Sequence, residues 1–134
     1  MTRRVRMRGL GPALLAALAL ASCGGGGGES SNRGDLFVTY FQGGPEAGAI
    51  LLTITGGPVE QVTALGGQQV SFAVPFEGTT KVVVSGNLAN GEVLRLRVPD
   101  VTLSSAYHAK SDQVADKVTF ALLEASSYQF TIHR

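Results

Sequence analysis

Alternation of apolar and polar residues with a period of two is the feature that most constrains the fold of this chain. From Asp35 onward, segments rich in Val, Ile, Thr, Phe and Tyr alternate in this way, and Gly, Pro, Asn or Ser separates them. Successive side chains of a strand point to opposite faces, so this pattern buries one face of a sheet. Turn residues that recur about every eight to twelve positions are typical of an antiparallel sandwich.

We therefore predict an all-β fold, a single antiparallel β-sandwich of eight or nine strands that occupies residues 35–134. About 100 residues can form such a domain without a disulfide or a metal, although a domain of this size buries only ~60–70% of its unfolded surface. The indicated strands are 36–41, 50–55, 59–65, 70–74, 81–85, 93–98, 101–103, 118–122 and 128–132.

Two segments predict which side chains face the core. In 70–74 the alternation turns Val74 inward, and Pro75 is expected to end the strand because proline cannot donate to a ladder. In 93–98 it predicts an inner set of Leu94, Leu96 and Val98 and an outer set of Val93, Arg95 and Arg97.

Three further segments carry local expectations. The continuous apolar run at 81–85 is consistent with a strand covered on both faces, and the Asn90-Gly91 pair after it favours a hairpin connection. Residues 107–117 fit a strand that bends near Asp112. The alternative is a helical turn capped by Ser111.

The first 22 residues have the pattern of an export signal. Four arginines in the first eight positions precede an apolar run over 10–21 that only Gly11 and Pro12 interrupt. A membrane-spanning helix needs about 20 apolar residues, so this run is too short to be one. Arg3-Arg4 is similar to a twin-arginine signal, but Arg6 and Met7 replace the apolar pair expected next, which favours the general export route.

The end of this segment, Leu20-Ala21-Ser22-Cys23, resembles the lipobox of bacterial lipoproteins. The resemblance implies that residues 1–22 are removed as a signal peptide and that the Cys23 thiol carries a diacylglycerol that anchors the protein in the bacterial membrane. A thiolate is a suitable nucleophile for this attachment. Gly24 after the cysteine favours the outer membrane where there are two, with the domain periplasmic or at the cell surface. The alternative is a stray thiol beside an ordinary cleavage site.

Residues 23–34 are predicted to be a linker. Five consecutive glycines, Gly24 to Gly28, lose more backbone entropy on ordering than any other residue type and have no side chain to bury. Arg33-Gly34-Asp35 spells the integrin-recognition tripeptide, which we interpret as a plain linker end.

Charge and cysteine content exclude several classes of protein. After residue 22 the chain has seven basic and ten acidic residues, a formal charge of −3, so no basic surface for nucleic acid is expected. Cys23 is the only cysteine, which excludes an internal disulfide and a cysteine-based zinc site.

Arg95 and Arg97 are the candidate ligand contacts. Two residues apart on a strand, they leave the same face about 6–7 Å apart and could bind a small anion or a glycan. The alternative, which we favour, is that they keep an outer face solvated.

Three other sets have a functional interpretation and a plain one. Ser105, His108 and Asp112 include the residue types of a catalytic triad, but a triad is defined by geometry. Acidic side chains could bind calcium, and tyrosines could stack on sugars. For all three sets we favour an interpretation without a reaction or a ligand. The triad-type residues are neighbours by chance, the acidic residues Asp100, Asp112 and Asp116 are surface charges, and the tyrosines Tyr40, Tyr107 and Tyr128 are core residues.

The body of the chain resembles the cohesin-like and Ig-like β-sandwich domains of bacterial surface proteins, on the runs 47–54, 81–86 and 128–132. The resemblance implies a non-catalytic module that binds an envelope protein or glycan, and no cofactor, metal or catalytic residue is predicted. The alternatives are a structural envelope component without a free ligand and, more remotely, a small hydrolase, although no known nucleophile motif is present. Sequence leaves the oligomeric state open.

Lipid attachment predicts the behaviour of Cys23→Ala. The parent protein should partition into detergent with the membrane fraction, whereas the variant should lose this partitioning and change its electrophoretic mobility, because it lacks the acceptor thiol. A variant that partitions and migrates like the parent would refute lipidation of Cys23.

Overall fold

Nine strands account for most of residues 32–134, the part of the chain that the computed structural model describes. The predicted signal peptide, Cys23 and most of the predicted linker lie outside these residues. The strands are β1 (Gly34–Gln42), β2 (Ala47–Thr55), β3 (Gln61–Ala64), β4 (Gln69–Phe76), β5 (Thr79–Ser85), β6 (Gly91–Val98), β7 (His108–Asp116), β8 (Leu122–Leu123) and β9 (Tyr128–His133). Two 3₁₀ helices, η1 (Val101–Ala106) and η2 (Ala125–Ser127), precede β7 and β9.

The strands form one antiparallel sheet that nearly closes on itself. Their order is β3-β6-β1-β9-β7-β2-β5-β4, and β8 pairs with β7. The two edge strands, β3 and β4, come within 8 Å of each other between Cα atoms. The predicted all-β antiparallel architecture of eight or nine strands is thus confirmed. One curled sheet forms both of the layers that enclose the core.

Alternate side chains of the strands fill the interior. Removal of this apolar surface from water is the main force that holds such a fold together. The members with at most 1% of their surface exposed include Leu36, Val38, Tyr40, Ile50, Leu52, Ile54, Val82, Val84, Leu94, Leu96 and Val98.

The antiparallel order gives the domain two distinct ends. Gly34 lies opposite Val98, and Thr55 lies opposite both Thr79 and His108. These residues lie at the end of the domain where the described chain begins, which we call the proximal end. It carries the β2–β3, β4–β5 and β6–β7 connections. The distal end carries the β1–β2, β3–β4, β5–β6 and β7–β8 connections.

Two β-bulges change what alternation predicts. Val38 pairs with Leu94 and Thr39 with Glu92, so Val93 is an extra residue in β6. It is 2% exposed, and its predicted outward position is wrong because a bulge shifts the facing of the strand. The bend predicted in 107–117 is confirmed: β7 is a strand, and Asp112 is its extra residue between the Leu51–Gln113 and Leu52–Ser111 pairs.

Strands β4 and β5 also depart from prediction. β4 continues through Pro75 to Phe76, because an edge strand can include a residue without an N–H. Its register shifts there, and Val74 is 51% exposed instead of buried. β5 is covered on one face only, so Val83 is 43% exposed. The Asn90-Gly91 hairpin is also wrong, because β5 and β6 are not neighbours in the sheet.

Aspartate side chains replace two predicted strands by turns. The Asp100 carboxylate accepts from the Thr102 backbone N–H at 3.0 Å and begins η1, where a strand at 101–103 was expected. Asp116 Oδ1 accepts from the backbone N–H groups of Val118 and Thr119 at 2.8 and 2.9 Å. These bonds hold a turn where the strand 118–122 was expected, so that only β8 remains paired.

Two Gly-Gly-Pro turns are fastened by tyrosines. The Tyr107 hydroxyl donates to the Pro58 carbonyl at 2.7 Å, and the Tyr128 hydroxyl donates to the Pro45 carbonyl. A Cβ atom at Gly57 would lie 2.7 Å from the Tyr107 hydroxyl oxygen, which explains why glycine is needed beneath that ring. The three tyrosines are at most 4% exposed, which confirms the prediction that they belong to the core.

We expect Tyr107→Phe to lower the free energy of unfolding by about 1 kcal/mol, because the Pro58 carbonyl loses a buried donor. Tyr40→Phe is the matched control, since its hydroxyl lies 3.4 Å from Gln42 Oε1, a distance too long for a strong O–H bond. Urea unfolding followed by circular dichroism measures both. Equal losses in the two variants would contradict a fastening role for Tyr107.

Candidate functional site

Arg95 and Arg97 leave the same face of β6, as predicted, and share one carboxylate. Arg97 Nε lies 2.7 Å from Asp35 Oδ1, and Arg95 Nε lies 3.9 Å from Asp35 Oδ2. Both arginines are about half exposed, with side-chain values of 45% and 50%. Asp35 on the neighbouring strand β1 therefore neutralises half of the positive charge that an anion could use.

The three candidate calcium ligands lie apart. Asp100 caps η1 at the proximal end, and Asp116 closes the turn at the distal end. The backbone hydrogen bonds from Thr119 and Val118 hold the pKa of Asp116 below its ordinary value. Within residues 32–134, no three His, Cys, Asp or Glu side chains come close enough to hold a metal ion.

Asp112 instead belongs to a cluster that ties three strands together on the outer surface. Its carboxylate accepts from the Thr53 hydroxyl on β2 and from Lys81 Nζ on β5, the latter at 3.1 Å. Lys81 also donates to Thr53 Oγ1 at 2.6 Å. Burial raises the pKa of Asp112, but the hydrogen bonds from Thr53 and Lys81 and the charges of Lys81 and Lys110 outweigh burial, so the pKa is lowered.

Ser105, His108 and Asp112 do not form a triad in this arrangement. Ser105 and His108 line the same hollow at the proximal end, whereas the carboxylate of Asp112 is engaged by Thr53 and Lys81. In the described part of the chain, no hydrogen bond joins any two of the three side chains.

The sheet opens between β7 and β9. Lys110 and Gln129 are the one pair that joins these strands, because β8 takes the other half of the same edge of β7. The helix η2 between β8 and β9 produces the register change. Ser111 Oγ lies 2.7 Å from the Ala125 carbonyl oxygen and 2.6 Å from the Tyr128 carbonyl oxygen, so two carbonyls share the single O–H donor of one buried hydroxyl at this opening.

A groove follows this opening, and we call it the seam groove. Its larger part has a volume of about 580 Å³, and a hollow of about 230 Å³ continues it toward the proximal end, with Ala109 and Phe130 lining both. Its polar lining comes from Lys110, Asp112, Glu124, Ser126 and Gln129 in the larger part and from Ser104, Ser105, His108 and Thr131 in the hollow.

Several exposed polar side chains line the seam groove, and one of them, Lys110, acts on Asp112 through its charge. Lys110, Gln129 and His108 are exposed, and none of them makes a side-chain hydrogen bond to another described residue. Glu124 accepts from the Ser126 hydroxyl at 3.2 Å. The groove thus offers an ammonium group, an amide, an imidazole and a carboxylate along one opening, a set that suits a ligand with many hydroxyl or amide groups.

A second, apolar groove lies toward the distal end, and we call it the distal groove. Phe120 in the β7–β8 turn and Leu122 at the start of β8 line it, at 78% and 72% exposure, against Ala49, Leu51 and Ala115 of the sheet. Its two parts have volumes of about 390 and 270 Å³. Phe120 has φ +63°, a left-handed conformation that the Asp116 carbonyl holds through the Phe120 N–H.

Neither groove could be found from the sequence. The seam groove depends on the register change at η2, for which the only signal was the irregular stretch 107–117. The distal groove depends on the Asp116 turn, which exposes apolar residues that the pattern had assigned to a strand.

Comparisons with known proteins yield no relative: no family model, curated protein or solved structure matches the chain. Over residues 32–134, no helix is both long enough and apolar enough to cross a membrane.

The Asp112 cluster predicts a pH-dependent stability. The folded pKa of Asp112 lies below its ordinary value of 3.8, so its contribution is fully present above that value and is lost as the pH falls through the folded pKa. We expect Asp112→Asn to cost about 0.5–1 kcal/mol at neutral pH and less near pH 3.

Urea unfolding at the two pH values measures this difference, and Glu46→Gln is the matched control. Glu46 pairs with Lys117 at 3.6 Å with both side chains exposed, so its loss should change little. A cost for Asp112→Asn that stays constant or grows on acidification would contradict the assignment.

Proposed function

We propose that this protein is a lipid-anchored bacterial lipoprotein whose β domain is a non-catalytic module that binds a glycan or a protein of the cell envelope. The lipobox Leu20-Ala21-Ser22-Cys23 supports the anchor, with the outer membrane favoured and the domain periplasmic or at the cell surface. Of the two ligand classes, a glycan fits the polar lining of the seam groove better.

The seam groove is the observation that carries the binding proposal. Exposed polar side chains such as Lys110, Gln129 and His108, which form no side-chain hydrogen bond within the described residues, contribute little to stability, and they gather here along an opening in the sheet. Lys110 and Gln129 stand on the two strands that border the opening, directly opposite each other. The two strands pair at this point, so a ligand that lies in the adjoining opening could contact both side chains at once.

The chemistry of the lining favours hydrogen bonding over burial of a large apolar group. The aromatic residues beneath the groove, Tyr128 and Phe130, are 1% and 7% exposed, so they form its floor and leave no open face for stacking. Sugar hydroxyls both donate and accept, as do the amide of Gln129 and the imidazole of His108.

Binding of the mature lipidated protein in detergent to peptidoglycan fragments and to envelope polysaccharides tests this proposal. We expect one class of glycan to bind saturably and the double variant Lys110→Ala, Gln129→Ala to weaken that binding about tenfold, since a charged and a neutral hydrogen bond are lost. The matched control is Lys117→Ala, Gln113→Ala, which removes the same residue types outside the seam groove. Equal losses in the two double variants would contradict the site.

The distal groove favours a second candidate function, a structural envelope component without a free ligand. Exposed apolar surface of this kind often marks a contact between proteins. Under this alternative the purified protein binds no glycan, and cross-linking in intact cells captures it in a stable complex that Phe120→Ser disrupts.

A further inference from the structure

The proximal end carries three exposed apolar side chains. Val74 and Phe76, at the tip of the β4–β5 hairpin, are 51% and 70% exposed, and Leu103 in η1 is 55% exposed. The hairpin turn stands in open space, because no heavy atom comes within 4 Å of the position that a Cβ atom would take at Gly78. Both connections belong to the end at which the described chain begins.

The start of the described chain is fixed to the same end. The Asn32 carbonyl accepts from the Val101 backbone N–H at 2.9 Å, and a Cβ atom at Gly34 would lie 3.0 Å from Val101 Cγ1. Val101 is the first residue of η1, two positions before Leu103. The chain therefore reaches the domain beside one of the exposed apolar residues.

The length of chain between Cys23 and the domain limits which end of the domain can contact the membrane. Eight residues lie between Cys23 and Asn32, and the nine residue steps from one to the other span at most about 30 Å when fully extended. Strand β1 has nine residues and is itself about 30 Å long. A lipid on Cys23 thus keeps the proximal end within about 30 Å of the membrane, whereas the distal end reaches the membrane only if the connecting chain is stretched along the whole domain.

We propose that the proximal end rests on the lipid surface, with Val74, Phe76 and Leu103 inserted at the boundary between headgroups and acyl chains. This inference rests on the proposed lipid anchor at Cys23. Three side chains would bind a membrane weakly from solution, but an anchored domain meets the surface at a high effective concentration, so weak contacts suffice to orient it.

The absence of tryptophan from the chain makes the test specific, because a single introduced tryptophan reports only its own site. The lipidated protein is reconstituted into vesicles of phosphatidylethanolamine and phosphatidylglycerol, with and without brominated acyl chains. We expect the brominated chains to quench Phe76→Trp and Leu103→Trp at least about twofold, with emission shifted to shorter wavelengths. Phe120→Trp is the matched control, an equally exposed aromatic position at the distal end, and should show neither effect.

The outcomes distinguish failure of this inference from failure of the lipid anchor on which it rests. Flotation with the vesicles, without quenching at positions 76 and 103, would overturn the inference and leave the anchor intact. Stronger quenching at position 120 than at 76 would also overturn it, since the distal end would then face the lipid. Failure to float would refute the anchor and the inference together. Circular dichroism of each variant establishes that it is folded before the comparison.

Discussion

A single sheet that no other layer covers can bury its apolar face only if it curls, and in this protein tyrosine hydroxyls hold the curled sheet at both ends. Tyr107 fastens the β2–β3 turn to the start of β7, and Tyr128 fastens the β1–β2 turn to the start of β9. The rings must lie within the core for their hydroxyls to reach these carbonyls. Burial, with the charges of Tyr128 and Glu46, raises the pKa of the third tyrosine, Tyr40, to about 12, which keeps it neutral in the interior.

The seam groove follows from the same closure. β7 is paired with β2 along nearly all of its length, but its other edge is divided between β8 and β9. The intervening η2 lies between the segments that pair with β7, and the Ala125 and Tyr128 carbonyls there share the O–H donor of Ser111. An opening stabilised in this way exposes polar side chains without exposing the core, which is what a binding site on a small domain requires.

Period-two alternation was sufficient to predict the fold class, most strands and the inner set of β6, Leu94, Leu96 and Val98. It failed where an added residue in β6 and an aspartate bonded to the backbone changed the local structure. Val93 faces inward because a bulge reverses the facing of its strand, and 118–122 is a turn because Asp116 binds two of its N–H groups. Neither event alters the apolar pattern. The Arg95 and Arg97 pair was placed on the correct face, but Asp35, which neutralises it, comes from a strand about sixty residues earlier in sequence.

The two ends and the side of the domain expose different kinds of side chains, and a lipid anchor would fix how each of these surfaces is oriented relative to the membrane. With the proximal end on the lipid, the strands stand away from the membrane, the seam groove opens laterally along β7 and β9, and the distal groove faces away from the surface. A long polymeric glycan could then run past the side of the domain without meeting the bilayer. The apolar distal groove, about one strand length from the lipid, would remain available to a protein. This orientation would leave the larger part of the seam groove and the distal groove clear of the lipid, so it is compatible with either of the two proposed functions.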